Sequence, residues 1–258
     1  MYNLEVGATY TWTVTDAEGA SASASFTTEA QAPRILNGDQ IPSVRDLGGW
    51  VGLQGIRVKQ GELVRTAHLD DESTGASLLT DTSRDTFLNV IGVKTELDFR
   101  SSTELAKIGR DSTSKLGETV TRYCYPIPSY ALGDFVPGED KPYGYFALAF
   151  QRVFDSGSRP LAFHGKIGRD RTGTFAAMIL SLLGVSEDDI LREYRIAGDF
   201  STSSYFHIDE VITALKTTYP AATLAASAKR YFTEAVGFTA DEVEQFRTEI
   251  LPGYDPED

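Results

Sequence analysis

The feature that most constrains the fold of this chain is residues 161–173, where an apolar strand runs into a short cationic loop and an apolar helix follows at once. The strand is predicted over residues 160–164 and the helix over residues 174–183. In open α/β sheets, ligands bind beyond the carboxyl end of a strand. Loop amides and the positive end of the following helix attract an anion there. The stretch therefore predicts an α/β fold that carries an anion-binding loop.

Strand-like and helical segments alternate along most of the chain. Besides the strand above, the pattern predicts three strands and one long helix, at residues 63–65, 93–99, 121–127 and 143–154. After Gly173 the pattern is helical to the end of the sequence. Such alternation favours a mainly parallel central sheet flanked by helices, which we assign to residues 32–258.

Residues 1–31 form a β-rich appendage in this interpretation. Alternation over residues 8–15, a turn at residues 16–19 and small β-compatible residues after it predict a hairpin. The pattern resembles the last hairpin of a fibronectin type III-like module, which favours a secreted or cell-surface bacterial protein. The alternative is a hairpin packed on the main domain. Because strand-like sequence follows Met1 directly, we also expect the chain to have been cut from a longer protein.

The charge of the chain limits its partners. The formal net charge is −13 and the isoelectric point is about 4.7. Such a surface repels nucleic acid and anionic lipid, so we expect no nucleic-acid partner. An anionic substrate then needs a local positive pocket, which Lys166, Arg169 and Arg171 supply in the loop.

Other chemistries are disfavoured by composition. The single cysteine, Cys124, and three widely spaced histidines exclude a disulfide framework and a cysteine-rich zinc site, so we expect neither a metal nor a cofactor. Cys124 lies in a predicted strand, where we expect a buried, small apolar residue. No run approaches the ~18 apolar residues of a transmembrane segment. The loop is also not a nucleotide-binding P-loop, because Thr174 stands where that motif needs lysine.

The loop is similar to the signature His-Cys-x-x-Gly-Lys-Asp-Arg-Thr-Gly of the bacterial atypical tyrosine phosphatases, which share the Cys-x5-Arg phosphatase loop. Arg169 replaces the lysine and Gly165 replaces the cysteine, and the matching residues are His164, Gly168, Asp170, Arg171, Thr172 and Gly173. Three further segments resemble family motifs in the same order, at residues 43–49, 63–69 and 97–101. The resemblance covers about residues 37–205.

The resemblance implies roles for the loop and its neighbours. Arg171 would bind two phosphate oxygens, and Asp170 would protonate the leaving group or, alternatively, orient an arginine by an ion pair. Asp98 would assist catalysis or brace the loop through hydrogen bonds. The implied substrate-binding residues are the others of the loop, namely His164, Lys166, Ile167, Gly168, Arg169 and Thr172. For Lys166 and Arg169 the alternative is a solvated loop face, and for His164 a buried histidine. We expect Arg45, Asp46, Arg65 and Arg100 to form bracing ion pairs.

Gly165 decides the expected activity. The family hydrolyses phosphate monoesters through a phosphocysteine intermediate, and glycine offers no nucleophile. We therefore expect the chain to bind phosphotyrosine, a phosphoinositide or an inositol phosphate without turnover. Two histories fit: an inactivated phosphatase, which we prefer, or a natural pseudophosphatase that acts as a phospho-ligand binding module. Pocket depth depends on loops such as residues 129–142, and that loop or residues 201–207 would form a lid.

Overall fold

The computed structural model describes residues 2–71, 74–108, 113–127, 144–197 and 208–257. Its strands form a two-stranded sheet of β1 and β2 and a six-stranded sheet in the order β3-β4-β5-β8-β6-β7. In chain order the strands are β1 (Thr9–Thr15), β2 (Ser21–Thr27), β3 (Arg34–Ile35), β4 (Arg45–Asp46), β5 (Leu63–Thr66), β6 (Thr95–Asp98), β7 (Thr121–Cys124) and β8 (Leu161–His164).

The larger sheet is mainly parallel, as predicted. β5, β8, β6 and β7 pair in parallel, and β3 and β4 add an antiparallel edge to β5. In this register the last residues of three strands, Thr66, His164 and Asp98, lie side by side. The carboxyl ends of β5, β8 and β6 therefore meet at one edge of the sheet, where ligands bind in folds of this kind.

Helices cover both faces of this sheet. They are α1 (Asp81–Asp85), α2 (Ser102–Lys107), α3 (Gly144–Phe154), α4 (Asp170–Leu182), α5 (Glu187–Ile196), α6 (Ile208–Thr218), α7 (Leu224–Arg230) and α8 (Ala240–Ile250), with π-helical turns at Thr86–Ile91 and Tyr231–Val236. Along β8, Leu161 and Phe163 pack into one core cluster and Ala162 into the other. Since successive strand side chains point to opposite faces, two apolar layers follow directly from the sequence. None of the described helices combines the length and the apolar composition of a membrane-spanning segment.

Helix α4 is the buried centre of the larger layer, and it begins earlier than predicted. Its first residue is Asp170, four residues before the predicted start, so Asp170 and Arg171 belong to the first helical turn and not to the loop. The polar residues of that turn hide the helical pattern from a search for apolar periodicity. The consequence is that the loop proper spans only residues 165–169.

The predicted N-terminal hairpin is present as the two-stranded sheet of β1 and β2. Residues of β1 and β2 are almost all exposed, including Trp12 at 52%. One face carries four cross-strand hydroxyl pairs, such as Thr11 with Ser25 at 2.7 Å, and the other carries a stacked Tyr10–Phe26 pair. The division into an appendage and a main domain, and the alternative of a hairpin packed on that domain, both stay predictions. The relation to a fibronectin-like module stays a prediction.

Cys124 is exposed, so the expectation of a buried, small apolar residue was wrong. It ends β7, which is the last strand in the sheet order. At that position one side of the strand has no further strand beside it among the described residues, and the end residue reaches solvent. The thiol also lies outside the loop that follows β8.

Candidate functional site

The loop after β8 packs closely against the end of β5. Gly168 has a φ of +71°, and a Cβ added there would lie 2.5 Å from the carbonyl oxygen of Thr66. Both facts require glycine, because a positive φ is costly for other residues and the space is filled by backbone. The signature glycine therefore fixes the approach of the loop to the sheet edge.

Arg65 binds the loop from behind. It is fully buried on β5, and its Nε and Nη2 donate to the Gly168 carbonyl at 3.1 and 2.8 Å. Nη2 also donates to the Arg169 carbonyl at 3.0 Å. Among the described residues, no protein acceptor takes the amides of Ile167 and Gly168. Arg65 thus holds the carbonyls of Gly168 and Arg169, and the amides of Ile167 and Gly168 can donate to a ligand. Such a loop has the character of an anion nest.

Glu193 of α5 pairs with both arginines behind the loop. Its carboxylate accepts from Arg45 Nε at 2.7 Å and pairs with Arg65 Nη1, and all three side chains are buried. Burial raises the pKa of Glu193, but the charges of Arg45 and Arg65 outweigh it, so the pKa is lowered. Burial also lowers the pKa of Arg65 to about 10. The predicted ion pairing of these arginines is confirmed.

Arg171 presents one edge of its guanidinium to the loop and the other to α2. Its Nη1 and Nη2 donate to the two carboxylate oxygens of Glu104 at 2.7 and 2.9 Å. Nη1 also donates to the carbonyls of Phe99 and Ile127, at 3.0 and 3.1 Å. The guanidinium edge that carries Nε faces Gly165, since a Cβ added at Gly165 would lie 3.5 Å from Arg171 Nε. A guanidinium held at its end can still bind an oxyanion along its side.

A side chain fits at Gly165. An added Cβ would meet Thr172 Oγ1 at 3.4 Å and Arg171 Nε at 3.5 Å, which are ordinary contacts, and the φ of Gly165 is not positive. The Gly165 amide donates to Thr172 Oγ1 at 2.8 Å. Neither backbone geometry nor space therefore requires glycine here, unlike at Gly168.

His164 lies directly behind the loop, between two hydrogen-bond acceptors. Its Nδ1 lies 2.9 Å from the Gly165 carbonyl and its Nε2 lies 2.9 Å from Glu96 Oε1. Both partners accept hydrogen bonds, an arrangement that favours a proton on each ring nitrogen. Burial lowers the pKa of His164, but Asp98 and Glu96 outweigh it and raise the pKa. The histidine is thus both buried and a positioning group for the loop.

Asp98 is surrounded by arginines. It accepts from Arg100 and from Arg122 Nη2, the latter at 2.6 Å, and it is fully buried. Burial raises its pKa, but His164, Arg100 and Arg122 outweigh this and lower the pKa well below its usual range. These contacts are those of a bracing carboxylate, and a catalytic role for Asp98 stays a prediction.

Three buried groups near the loop have the composition of a metal site. Ligand atoms of Glu96, Asp98 and His164 lie within 4.8 Å of one another. Arg122 already reaches both carboxylates, at 3.4 and 2.6 Å, and Arg100 binds Asp98 as well. A cation would have to displace two guanidinium groups, so we interpret the cluster as an ion-pair network.

Asp170 is held by two neighbours at the start of α4. Its Oδ1 and Oδ2 accept from Arg169 Nε and Nη2 at 3.0 and 3.1 Å, and Oδ1 also accepts from the Tyr194 hydroxyl at 2.8 Å. This ion pair with Arg169 is the one expected if Asp170 orients an arginine, which is the alternative to protonating the leaving group. Arg169 is 6% exposed, so it does not form a solvated face.

The remaining loop residues lie towards solvent. Ile167 is 40% exposed, and Lys166 is half-buried with its carbonyl accepting from the His68 amide at 3.1 Å. The predicted lids, residues 129–142 and 201–207, fall outside the described residues.

Sequence reasoning missed Glu104, Glu193 and Tyr194. Glu104 belongs to a motif that can be recognised in the sequence, because Ser101 and Glu104 form a capping box at the start of α2. In this box the Ser101 amide donates to Glu104 Oε2 at 2.6 Å. That motif indicates a helix start, and it carries no information about Arg171. Glu193 and Tyr194 lie inside α5, where a local pattern gives no reason to select them.

Glu104 gives the site a pH dependence. Burial raises its pKa, but hydrogen bonds from Arg171 and Ser101 outweigh this and lower the pKa from 4.5 to about 2. A lowered pKa stabilises the fold above pH 4.5, and this stabilisation is lost as the pH falls towards 2. We expect a Glu104→Gln variant to be less stable than the unsubstituted chain at pH 6, with the difference shrinking by pH 3. Urea unfolding across this range measures it, and a constant difference would contradict the pairing.

The fold and the site together define a class. A parallel sheet edge, an amide-lined loop leading into a buried helix and an arginine six residues beyond the first loop position are the parts of a phosphatase loop. Over residues 36–252 the chain matches the tyrosine phosphatase family, and it belongs to that family.

Named relatives agree with this assignment. A tyrosine-protein phosphatase of Cupriavidus necator is 30% identical over 176 residues, which cover 60% of this chain and 60% of that protein. One of Nostoc commune is 28% identical over 207 residues, covering 71% of this chain and 67% of that one. The aligned part of the chain thus spans about three fifths to two thirds of the length of these relatives.

Solved structures show weaker likeness. Pseudomonas aeruginosa TpbA is 18% identical with a TM-score of 0.36, covering 75% of this chain and 89% of its own. The catalytic core of the Saccharomyces cerevisiae PP-IP phosphatase Siw14 is 15% identical with a TM-score of 0.35, covering 75% and 94%. Such TM-scores are too low to define a fold, which the strand order gives directly.

Proposed function

We propose that this chain binds phosphate monoesters at residues 164–173 and does not hydrolyse them, because Gly165 stands at the position of the nucleophile. The observation that carries the proposal is the contact set of Gly165, whose added Cβ would face Arg171 Nε and Thr172 Oγ1. A thiolate placed there would sit beside a guanidinium at the start of a helix, which is where thiol pKa values are lowered. The parent chemistry is hydrolysis through a phosphocysteine, as in the bacterial atypical tyrosine phosphatases.

Binding survives the loss of the nucleophile in this proposal. The loop amides, Arg171 and the N-terminus of α4 attract the phosphate dianion, and a missing thiolate removes a like charge from the pocket. Asp170, at the first residue of α4, is proposed as the group that protonates the leaving oxygen in the parent reaction. Asp98 is retained as a proposed catalytic or bracing carboxylate, and the site needs no metal or cofactor.

Phosphotyrosine is the substrate class that the related names support most directly, since both curated relatives are called tyrosine-protein phosphatases. Phosphoinositides and inositol phosphates are further candidates, because Lys166 and Arg169 add positive charge within the loop. The alternative function is that of a natural pseudophosphatase, a binding module for phospho-ligands. Of the two origins, we favour a phosphatase that has been inactivated over a natural pseudophosphatase, because the residues around Gly165 still form the contacts of a phosphatase loop.

Titration of the unsubstituted chain with tungstate, a phosphate mimic, tests this proposal by calorimetry. We expect binding, and we expect Arg171→Ala to weaken it at least about tenfold, because charge-assisted hydrogen bonds are lost. Arg192→Ala is the matched control, since Arg192 is 45% exposed and pairs with Asp189 on the surface. Thermal unfolding checks that each variant is folded. Absence of tungstate binding, or equal weakening by both variants, would refute the proposed site.

A further inference from the structure

Tyr194 is a buried tyrosine whose hydroxyl reaches the candidate acid. It lies on α5, is 2% exposed and donates to Asp170 Oδ1 at 2.8 Å. Burial raises the pKa of Tyr194, and the Asp170 charge adds to this, so the hydroxyl keeps its proton. The signature of the loop does not include this residue, which is 24 positions further along the chain.

The helix is shaped to admit the tyrosine ring. A Cβ added at Gly173 would lie 2.5 Å from Tyr194 Cδ2 and 2.6 Å from Cε2. Gly173 has no positive φ, so ring contact and not backbone conformation requires a glycine in the first turn of α4. The last glycine of the signature thus serves to bring Tyr194 over the helix and its hydroxyl to Asp170.

Arg169 and Tyr194, the two partners of Asp170, differ in whether their contacts allow a proton on its carboxyl group. Arg169 binds both oxygens of the carboxylate, an arrangement that needs the charged form. A tyrosine hydroxyl can donate to the carbonyl oxygen of a protonated carboxyl group as well as to a carboxylate. Since Tyr194 binds Oδ1, a proton for the leaving group would be carried by Oδ2.

We infer that Tyr194 is a positioning residue for Asp170, holding the carboxyl group in place both with its proton and after the proton has moved to the leaving oxygen. This inference rests on the proposed function, in which Asp170 is the leaving-group acid. In that step of the parent reaction, the thiolate of a cysteine at position 165 forms a bond to phosphorus, the phosphorus–oxygen bond breaks, and the leaving oxygen takes the proton from Oδ2.

The test combines Tyr194→Phe with Gly165→Cys, since positioning of an acid is seen only during turnover. With phenyl phosphate, whose leaving group is poor, we expect kcat to fall about tenfold. With p-nitrophenyl phosphate, whose leaving group needs little protonation, we expect a fall below about threefold, with KM unchanged within about twofold for both. Tyr254→Phe is the control, because its hydroxyl also donates to a carboxylate, that of Glu244, at 2.8 Å.

Other outcomes overturn the inference. An equal fall in kcat for both substrates would assign Tyr194 a purely structural role. An unchanged kcat for both substrates would show that Tyr194 has no role in the reaction. In an Asp170→Asn background, Tyr194→Phe should change kcat for phenyl phosphate less than about twofold, and a full tenfold fall there would show that Tyr194 acts elsewhere. A Gly165→Cys chain that binds tungstate and is inert would overturn the inference while leaving phosphate binding intact. Absence of tungstate binding would instead remove the proposed function itself.

Discussion

A Gly165→Cys variant is expected to hydrolyse p-nitrophenyl phosphate at least about a thousandfold faster than the unsubstituted chain. The reason is that the position is prepared for a side chain, with Thr172 Oγ1 and Arg171 Nε at contact distance from an added Cβ. The ring of His164 lies beside the Gly165 carbonyl and its pKa is raised, which favours positive charge behind the loop and therefore a thiolate. Initial rates of nitrophenolate release measure the gain.

Gly165→Ala is the matched control for this gain. It places the same Cβ against the same two groups without a nucleophile, so we expect no turnover above the unsubstituted chain. A burst of nitrophenolate equal to the enzyme concentration would report the phosphocysteine directly. If the cysteine variant is folded, binds tungstate and remains inert, the phosphatase interpretation fails and the binding-module alternative gains.

A Glu193→Gln variant is expected to lose about 3–5 kcal/mol of unfolding free energy, because it leaves Arg45 and Arg65 buried without a counter-charge. Glutamine has nearly the same shape, so the loss reports charge and not a cavity. Urea unfolding at pH 7 measures it. Tungstate affinity should fall as well, since Arg65 holds the Gly168 and Arg169 carbonyls that shape the loop.

Glu187→Gln on the same helix is the control for that loss. Glu187 is 46% exposed and pairs with Lys216, so its charge should contribute less than about 1 kcal/mol. Similar losses of unfolding free energy in Glu193→Gln and Glu187→Gln would mean that helix propensity, and not the buried ion pair, causes the loss. A Glu193→Gln variant as stable as the unsubstituted chain would show that Arg45 and Arg65 find other partners.

The candidate site could be predicted from sequence because its residues lie close together along the chain. The strand, the glycine-containing loop and the three cations lie within residues 161–173, and alternation of strands and helices already predicts that such a loop meets the edge of a parallel sheet. The glycine at position 165 is equally visible in the sequence. Apolar periodicity did not reveal the true start of α4, because the first turn of that helix is polar.

The partners of the cations were decided only by the tertiary structure. Arg171 meets Glu104 from 67 positions earlier, and Arg65 meets Glu193 from 128 positions later. These contacts arise because parallel register brings strand ends together and because α5 packs on α4, and both are properties of the assembled sheet and helices. Local sequence thus indicates which groups are proposed to bind a phosphate. Long-range packing decides which partner each buried charge meets and how its side chain is oriented, because a buried charge needs a partner and only the assembled fold supplies one.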